Sequence, residues 1–268
     1  MTRFLHITDL HLSAPEAGDP GLQSDTPATL RRVVGIVQAM KQKPDFVVAS
    51  GDLTNTGHEA SYQLLKEILA DMPVPVVLAL GNHDKRAGFH AVFGQGASDA
   101  AYFHDSVHGA LHVIVLDTMI PGKVAGTVDA EQMDFLRAAL ERHPDKPKLI
   151  VMHHPPRVDP EGLPWGTIDM ASTEALAGTL RGHDVVAILS GHIHINQVSH
   201  WHGIPIVVGM GQHSTVDLLE RDDLRLVEGS GLAICDWRRS GLTVSYVPLT
   251  PAGRVIGTID RARLLAFS

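Results

Sequence analysis

The sequence predicts an α/β fold in which helices pack on β-sheets. Short apolar runs rich in Val, Ile and Leu alternate with stretches of helical periodicity through the first two thirds of the chain. After Gly191 the pattern turns mostly strand-like, with little helix between the runs. The 268 residues are 44% apolar and 19% charged, enough for one α/β domain with a substantial core. Strands and helices that alternate in this way bury their apolar faces by laying helices on sheets.

Along the chain, Phe4–Ile7 is the first strand. Leu30, Val33, Val34 and Val37 recur at helical spacing before the second strand, Phe46–Ser50. Tyr62, Leu65 and Leu69 mark another helix, followed by the strand Val74–Leu80. Leu111–Leu116 is a further strand. Met133, Leu136 and Leu140 mark a third helix, and Asp129 with Gln132 ahead of them has the spacing of a capping box. Leu149–Met152 and Val185–Ser190 again read as buried strands. Ile204–Val208, Gly231–Asp236 and Leu242–Val247 follow as neighbouring strands, so residues 200–268 are expected to complete a second sheet within a single domain spanning 1–268. Two long loops, Ser13–Pro27 and Pro155–Asp169, are of a length that often lines or covers a site.

Composition narrows the function classes. Cys235 is the only cysteine, lies in an apolar run and predicts a small buried hydrophobe rather than a disulfide partner. A lone cysteine, no signal peptide ahead of Phe4 and no apolar run near the roughly 20 residues needed to cross a bilayer predict a soluble, cytoplasmic protein without a membrane partner. The net charge of −8 and the lack of a basic stripe argue against a nucleic-acid partner. They do not argue against an anionic substrate if metal ions supply local positive charge.

The chain carries 17 histidines, and their positions separate the informative ones. Five buried strands each end in residues that bind metals or move protons: Asp9 and His11, then Asp52, then Asn82-His83-Asp84, then His153-His154, then His192 and His194. Ligands of α/β sheets gather beyond such C-terminal strand ends. The pairs Asp9-x-His11 and His192-x-His194 have i, i+2 spacing, which in extended chain puts both side chains on one side. Carboxylate, imidazole and amide oxygen together suit first-row ions such as Mn, Fe, Co or Zn, suit Ca poorly, and lack the thiolates of structural zinc. Asp9, His11, Asp52, Asn82, His153, His192 and His194 are too many ligands for one ion. Shared between two ions through a bridging Asp52, they leave room for solvent, and a pair roughly 3.5–4 Å apart is the usual clamp for in-line displacement at phosphorus. His154 competes with His153 as the ligand, and His153 is preferred because it ends the strand directly. His213 is ambiguous. His58, His90, His104, His108, His112, His143, His200 and His202 are expected to be surface or satisfied core residues. Trp165 is expected either to stack on a base or sugar or to anchor its loop.

These residues in this order (Asp9-x-His11, Gly51-Asp52, Gly81-Asn82-His83-Asp84, His153, Gly191-His192-x-His194) resemble the motifs of the calcineurin-like metallophosphoesterases. The form His153-His154-Pro155-Pro156 and the chain length resemble bacterial class III cyclic nucleotide phosphodiesterases and binuclear glycerophosphodiesterases. The resemblance covers residues 5 to about 194 and leaves no motif position empty. It implies a four-layer α-β-β-α sandwich of two mixed β-sheets flanked by helices. It also implies a division of ligands: Asp9, His11 and His194 on one metal, Asn82, His153 and His192 on the other, with Asp52 bridging. His83 would be catalytic, facing the phosphate to stabilise charge or protonate the leaving oxygen, and Asp84 would orient it. Asn82, His83 and His194 would meet the substrate.

The function expected is hydrolysis of a small phosphodiester, a 3′,5′-cyclic nucleotide such as cAMP, with a glycerophosphodiester as the alternative. A phosphomonoesterase or protein phosphatase would share the metals but need another pocket. A non-catalytic scaffold could lose Asn82 or His83 without penalty, and both are present. Thr250 to Ser268, with Arg254, Arg261 and Arg263, could cover a sheet edge or contact a second subunit of a homo-oligomer.

Overall fold

The computed structural model describes residues 1–94, 99–250 and 255–266, the side chains of Thr250 and Leu264 excepted. In chain order the elements begin β1 (Thr2–Ile7), α1 (Thr26–Ala39), β2 (Phe46–Ser50), α2 (Glu59–Leu69), β3 (Val76–Ala79), α3 (Arg86–Phe93), β4 (His104–His108), β5 (Leu111–Val115) and α4 (Ala130–Glu141). They continue with β6 (Lys148–Val151), α5 (Met170–Leu180), β7 (Val185–Ser190), β8 (Gln197–Trp201), β9 (Ile204–Val208) and β10 (Thr215–Val216). Last come β11 (Leu224–Val227), β12 (Ser230–Arg238), β13 (Gly241–Thr250), β14 (Val255–Ile259) and α6 (Arg261–Leu265). No described helix is long and apolar enough to cross a membrane.

Among the described residues the strands form three sheets, ordered β13-β12-β1-β2-β3, β4-β5-β6-β7-β9-β8 and β10-β11-β14. The first two are mixed. β1, β2 and β3 run parallel while β12 joins β1 antiparallel. β5, β6, β7 and β9 run parallel between antiparallel edges β4 and β8. Strands covered on both faces need apolar residues at nearly every position, which is why Phe46–Ala49 of β2 and Leu149–Val151 of β6 read as continuous apolar runs. Leu5, Val47 and Ala49 face Leu30, Val33 and Leu65 of α1 and α2. Phe4, Phe46 and Val48 face the second sheet, where Val113, Val151 and Leu189 meet them. Beyond that sheet Ile114, Ile150 and Ile188 pack under Met133, Leu136 and Leu176 of α4 and α5. The layers are therefore α-β-β-α, as expected.

The expectation that residues 200–268 complete the second sheet is corrected. Only β8 and β9 do so. β12 and β13 extend the first sheet, with Leu5 opposite Ile234, and β10, β11 and β14 build a small sheet of their own. Strand-like residues mark a strand but not its partner. β1 has an edge left over from β2, and Ala233 and Cys235 continue the apolar layer started by Phe4. Cys235 is fully buried in that layer, as expected, and burial pushes its thiol up. Arg254 lies outside the described residues.

Strands β4 and β8 were not legible because edge strands carry little apolar alternation; of β8 only Trp201 is buried. Helix α5 escaped because its residues are mostly small, with Leu176 and Leu180 as its large anchors. The capping box at Asp129 is half formed. The Asp129 side chain accepts from the Gln132 N–H at 2.9 Å, but the Gln132 amide turns away to bond both backbone groups of Asp117 at 2.8 Å.

Candidate metal centre

The ends of β1, β2, β3, β6 and β7 converge where the two large sheets meet. Backbone bonds tie the first two ends together: Asp9 N–H to Gly51 O at 3.0 Å and His11 N–H to Asp52 O at 2.9 Å. The segments carrying the ligand pairs are not extended, so the alignment expected from i, i+2 spacing is corrected. Asp9, His11, Asp52, His192 and His194 all adopt left-handed backbone, with φ of 50, 42, 48, 72 and 52°. Each such residue stores strain on the order of 1 kcal/mol or more, which clusters at functional sites. Asp and His tolerate this region better than most side chains do. Two glycines let these turns close on one another. A Cβ on Gly81 would sit 2.5 Å from the Asp52 nitrogen, and one on Gly191 would sit 2.5 Å from Asp9 Oδ2.

Asp52 stands between two groups of side chains. Its Oδ2 lies 3.6 Å from His11 Nε2 on one side and 3.3 Å from His153 Nε2 on the other. Asp9 Oδ1 lies 3.2 Å from His194 Nε2 and 3.9 Å from His153 Nε2. His11 and His194 bring their Nε2 atoms to 3.2 Å. Each ring is turned by a bond at its other nitrogen, as metal-binding histidines usually are. His11 Nδ1 meets Asn55 Oδ1 at 3.1 Å, His153 Nδ1 meets Ser50 O at 3.0 Å and His194 Nδ1 meets Ser214 O at 3.1 Å. His192 reverses the pattern: its Nε2 donates to Trp165 O at 2.7 Å, which leaves Nδ1 on the side of the site. His192 N–H also donates to the Asp9 carboxylate at 3.0 Å.

The residues fit a pair of metal ions. Asn82 Oδ1 is buried with no hydrogen-bond partner, and native proteins seldom leave such an atom without one. His153 Nε2, equally buried, makes no well-formed hydrogen bond and faces the carboxylates of Asp52 and Asp9. Ligand atoms of Asp9, Asp52 and His153, of His11, Asp52 and His83, and of His11, His194 and His213 lie within 4.8 Å of one another in each trio. The electrostatics favour a cation. Burial pushes the His153 ring down, yet Asp52 and Asp9 outweigh it and hold the ring up to about 9. Burial pushes the Asp9 carboxyl up, yet His194 and His153 hold it below the ordinary carboxylate range.

Asp84 requires a correction. Its carboxylate does not touch His83. It accepts from Leu53 N–H at 2.9 Å, Thr54 N–H at 3.0 Å, Gly81 N–H at 3.0 Å, the Thr54 hydroxyl at 3.1 Å and the Tyr62 hydroxyl at 2.9 Å. Burial and the neighbouring Asp52 charge push it up to about 6. Asp84 thus clamps the turn after Asp52 to the turn before Asn82. His83 is oriented instead by Asn55, whose carbonyl lies 2.8 Å from its Nδ1, and by its own N–H, which donates to Asp52 Oδ1 at 2.8 Å. The His83 ring is exposed and lines the cavity.

A ring nitrogen of His154 also lies within 4.8 Å of ligand atoms of His153 and His192, but both of its nitrogens are already bonded. Its Nδ1 meets the Thr118 hydroxyl at 2.7 Å and its Nε2 meets Val124 O at 2.9 Å. His213 joins the site, with its ring 4.7 Å from that of His11 and 5.4 Å from that of His194. Burial and the positive His194 push it down to about 3. Residue type alone did not mark Asn55 or Ser214. Asn55, in the polar run after Asp52, carried the one readable hint. Most of the other histidines keep plain roles: His58 caps α2, His90 bonds Ala100 O and His112 bonds Asp105.

The site opens into a cavity of about 460 Å³. Leu22 from the first long loop, Trp165 from the second and Arg263 from α6 all contribute to its wall. The Trp165 ring stands edge-on to His192, with centroids 5.7 Å apart.

Residues 2–196 match the sequence profile of the calcineurin-like phosphoesterases. A probable cyclic nucleotide phosphodiesterase of Rhodococcus erythropolis is 34% identical over 80% of this chain and 72% of its own length. A probable glycerophosphodiester phosphodiesterase of Arcobacter nitrofigilis is 28% identical over 79% of this chain and 81% of its own. Among solved structures, a dimetal phosphatase of Danio rerio superposes with a TM-score of 0.68 at 16% identity, covering 97% of this chain and 98% of the other, and so shares the fold.

Proposed function

This chain belongs to the calcineurin-like phosphoesterases, and from that premise we propose that it hydrolyses a 3′,5′-cyclic nucleotide on a binuclear metal centre. The observation that carries the metal-dependent chemistry is the buried, unpartnered Asn82 Oδ1 together with His153 Nε2, which faces the Asp52 carboxylate at 3.3 Å. The relative at 34% identity supports the choice of substrate.

Asp9, His11 and His194 would hold one ion, Asn82, His153 and His192 the other, and Asp52 both. Bound first-row ions supply Lewis acidity at the phosphate and bring the pKa of a water toward neutral. The protein's own groups do the rest. The left-handed turns, tied to each other by Asp9 N–H to Gly51 O and His11 N–H to Asp52 O, fix where the ligand side chains start. His83, with its Nδ1 proton committed to the Asn55 carbonyl, presents Nε2 to the cavity. Once protonated there, that nitrogen donates to a phosphoryl oxygen or to the departing alkoxide. Losing one such donor costs about 10²–10³ in kcat. His83→Ala is therefore expected to keep both metals by elemental analysis and to lose turnover by about that factor. A variant that loses metal but keeps its rate per metal would place His83 among the ligands instead.

The substrate is tested by kcat/KM for cAMP and for a glycerophosphodiester on Mn-reconstituted protein, with a nitrophenyl diester as control. A preference of at least about tenfold for cAMP is expected. The reverse preference would make the glycerophosphodiester, favoured by the relative at 28% identity, the physiological class. Failure on all three with two metals bound would move monoesters to the front.

A further inference from the structure

One face of the small sheet β10-β11-β14 belongs to the cavity. Val216 pairs with Leu226, and Leu224 pairs with Ile259. Paired residues share a face, as do Leu224 and Leu226 two positions apart. All four line the same cavity as His11, Asp52 and His194. Each is only half-buried, so this aliphatic face remains open. The residue between the two leucines, Arg225, falls on the opposite face, where it pairs with Asp217 and Glu220. Polar and apolar residues are thus sorted across a sheet too small to bury its apolar side by itself.

We propose that this face is the surface on which the substrate's nucleobase lies, with Leu224 and Leu226 as specificity-determining residues. The proposal rests on the cyclic-nucleotide reading and says which residues select the base. A purine or pyrimidine presents a flat face that loses little on leaving water and gains contact with branched aliphatic side chains. A glycerol moiety would turn hydroxyls toward four side chains that offer no donor or acceptor, and unpartnered hydroxyls are costly to bury. The cavity, at about 460 Å³, is within the range of small-ligand pockets. Trp165 and Ile193 add a second apolar group to its wall.

The test is titration calorimetry of 5′-AMP and of inorganic phosphate on the metal-reconstituted full chain, in wild type, Leu224→Asn and Leu226→Asn. Wild type is expected to bind 5′-AMP at least about tenfold more tightly than phosphate, and each variant to lose most of that ratio. Equal affinities in wild type, or a ratio intact in both variants, overturns the proposal. Two variants guard against one folding poorly. Because each protein is compared with its own phosphate affinity, loss of metal weakens both ligands, leaves the ratio standing and counts against the proposal. Hydrolysis of cAMP by wild type is measured in parallel. An AMP advantage that the variants remove, without cAMP hydrolysis, would keep the nucleobase surface and discard the catalytic reading.

Discussion

Asp52→Ala is expected to fall from two bound metals to fewer than one and to lose at least about three orders of magnitude in kcat. The size follows from what the ions contribute: several kcal/mol of charge stabilisation at the phosphate, with each 1.4 kcal/mol worth about tenfold in rate. The reason lies in the geometry. One carboxylate oxygen lies 3.3 Å from His153 Nε2 and 3.6 Å from His11 Nε2, whereas Asp9 Oδ1 reaches His194 Nε2 at 3.2 Å but stands 3.9 Å from His153 Nε2. The other oxygen accepts the His83 N–H. Elemental analysis and steady-state rates on the same preparation read both effects. Asp52→Asn separates them, since an amide can keep the bond to His83 while giving up the charge. If Asp52→Ala retained two metals and lost only rate, the bridge would be wrong and the carboxylate's task would be to place His83.

Asp84→Ala is expected to lower the stability of the metal-free protein by about 4–6 kcal/mol, a fall in Tm of roughly 10–20 °C. Removing the carboxylate strands three buried backbone N–H groups and the hydroxyls of Thr54 and Tyr62. Each buried donor left unsatisfied costs about 1–3 kcal/mol, and the set is not additive. Calorimetric melting of the apoprotein is the measurement, because it excludes the stabilisation that metals confer. A variant that melts like wild type but turns over slowly with both metals bound would return Asp84 to the role of orienting His83.

The two carboxylates show what the sequence makes legible. Asp9, His11, Asp52, Asn82, His153, His192 and His194 stand out because a metal ligand must be one of a few residue types and a strand end is where such residues can gather. All seven meet in space. Asp84 has the same chemistry and a neighbouring position, yet it points away. Nothing in Gly81-Asn82-His83-Asp84 reveals the direction of the last side chain, which is set by N–H groups from a turn some thirty residues earlier in the chain. The partners that orient the rings are harder still. Ser50 and Trp165 act through backbone carbonyls, which every residue has, and Ser214 through its carbonyl and its hydroxyl. The layers were legible from apolar runs, whereas the placement of β12 and the separate small sheet depend on which edges remain unfilled, a property of the assembled fold.

The pairing of β1 with β12 sets the order in which this protein can be made. β1 spans Thr2–Ile7 and its antiparallel neighbour lies at Ser230–Arg238, so the neighbour is synthesised long after it. At about 5–20 residues per second, the first strand waits roughly 10–50 s for that neighbour. His192 and His194 also emerge late, so the side chains that gather around Asp9 and His11 come together only after β7 is made. Until β12 arrives, the open edge of β1 is a place where nascent chains of this protein can pair wrongly with each other.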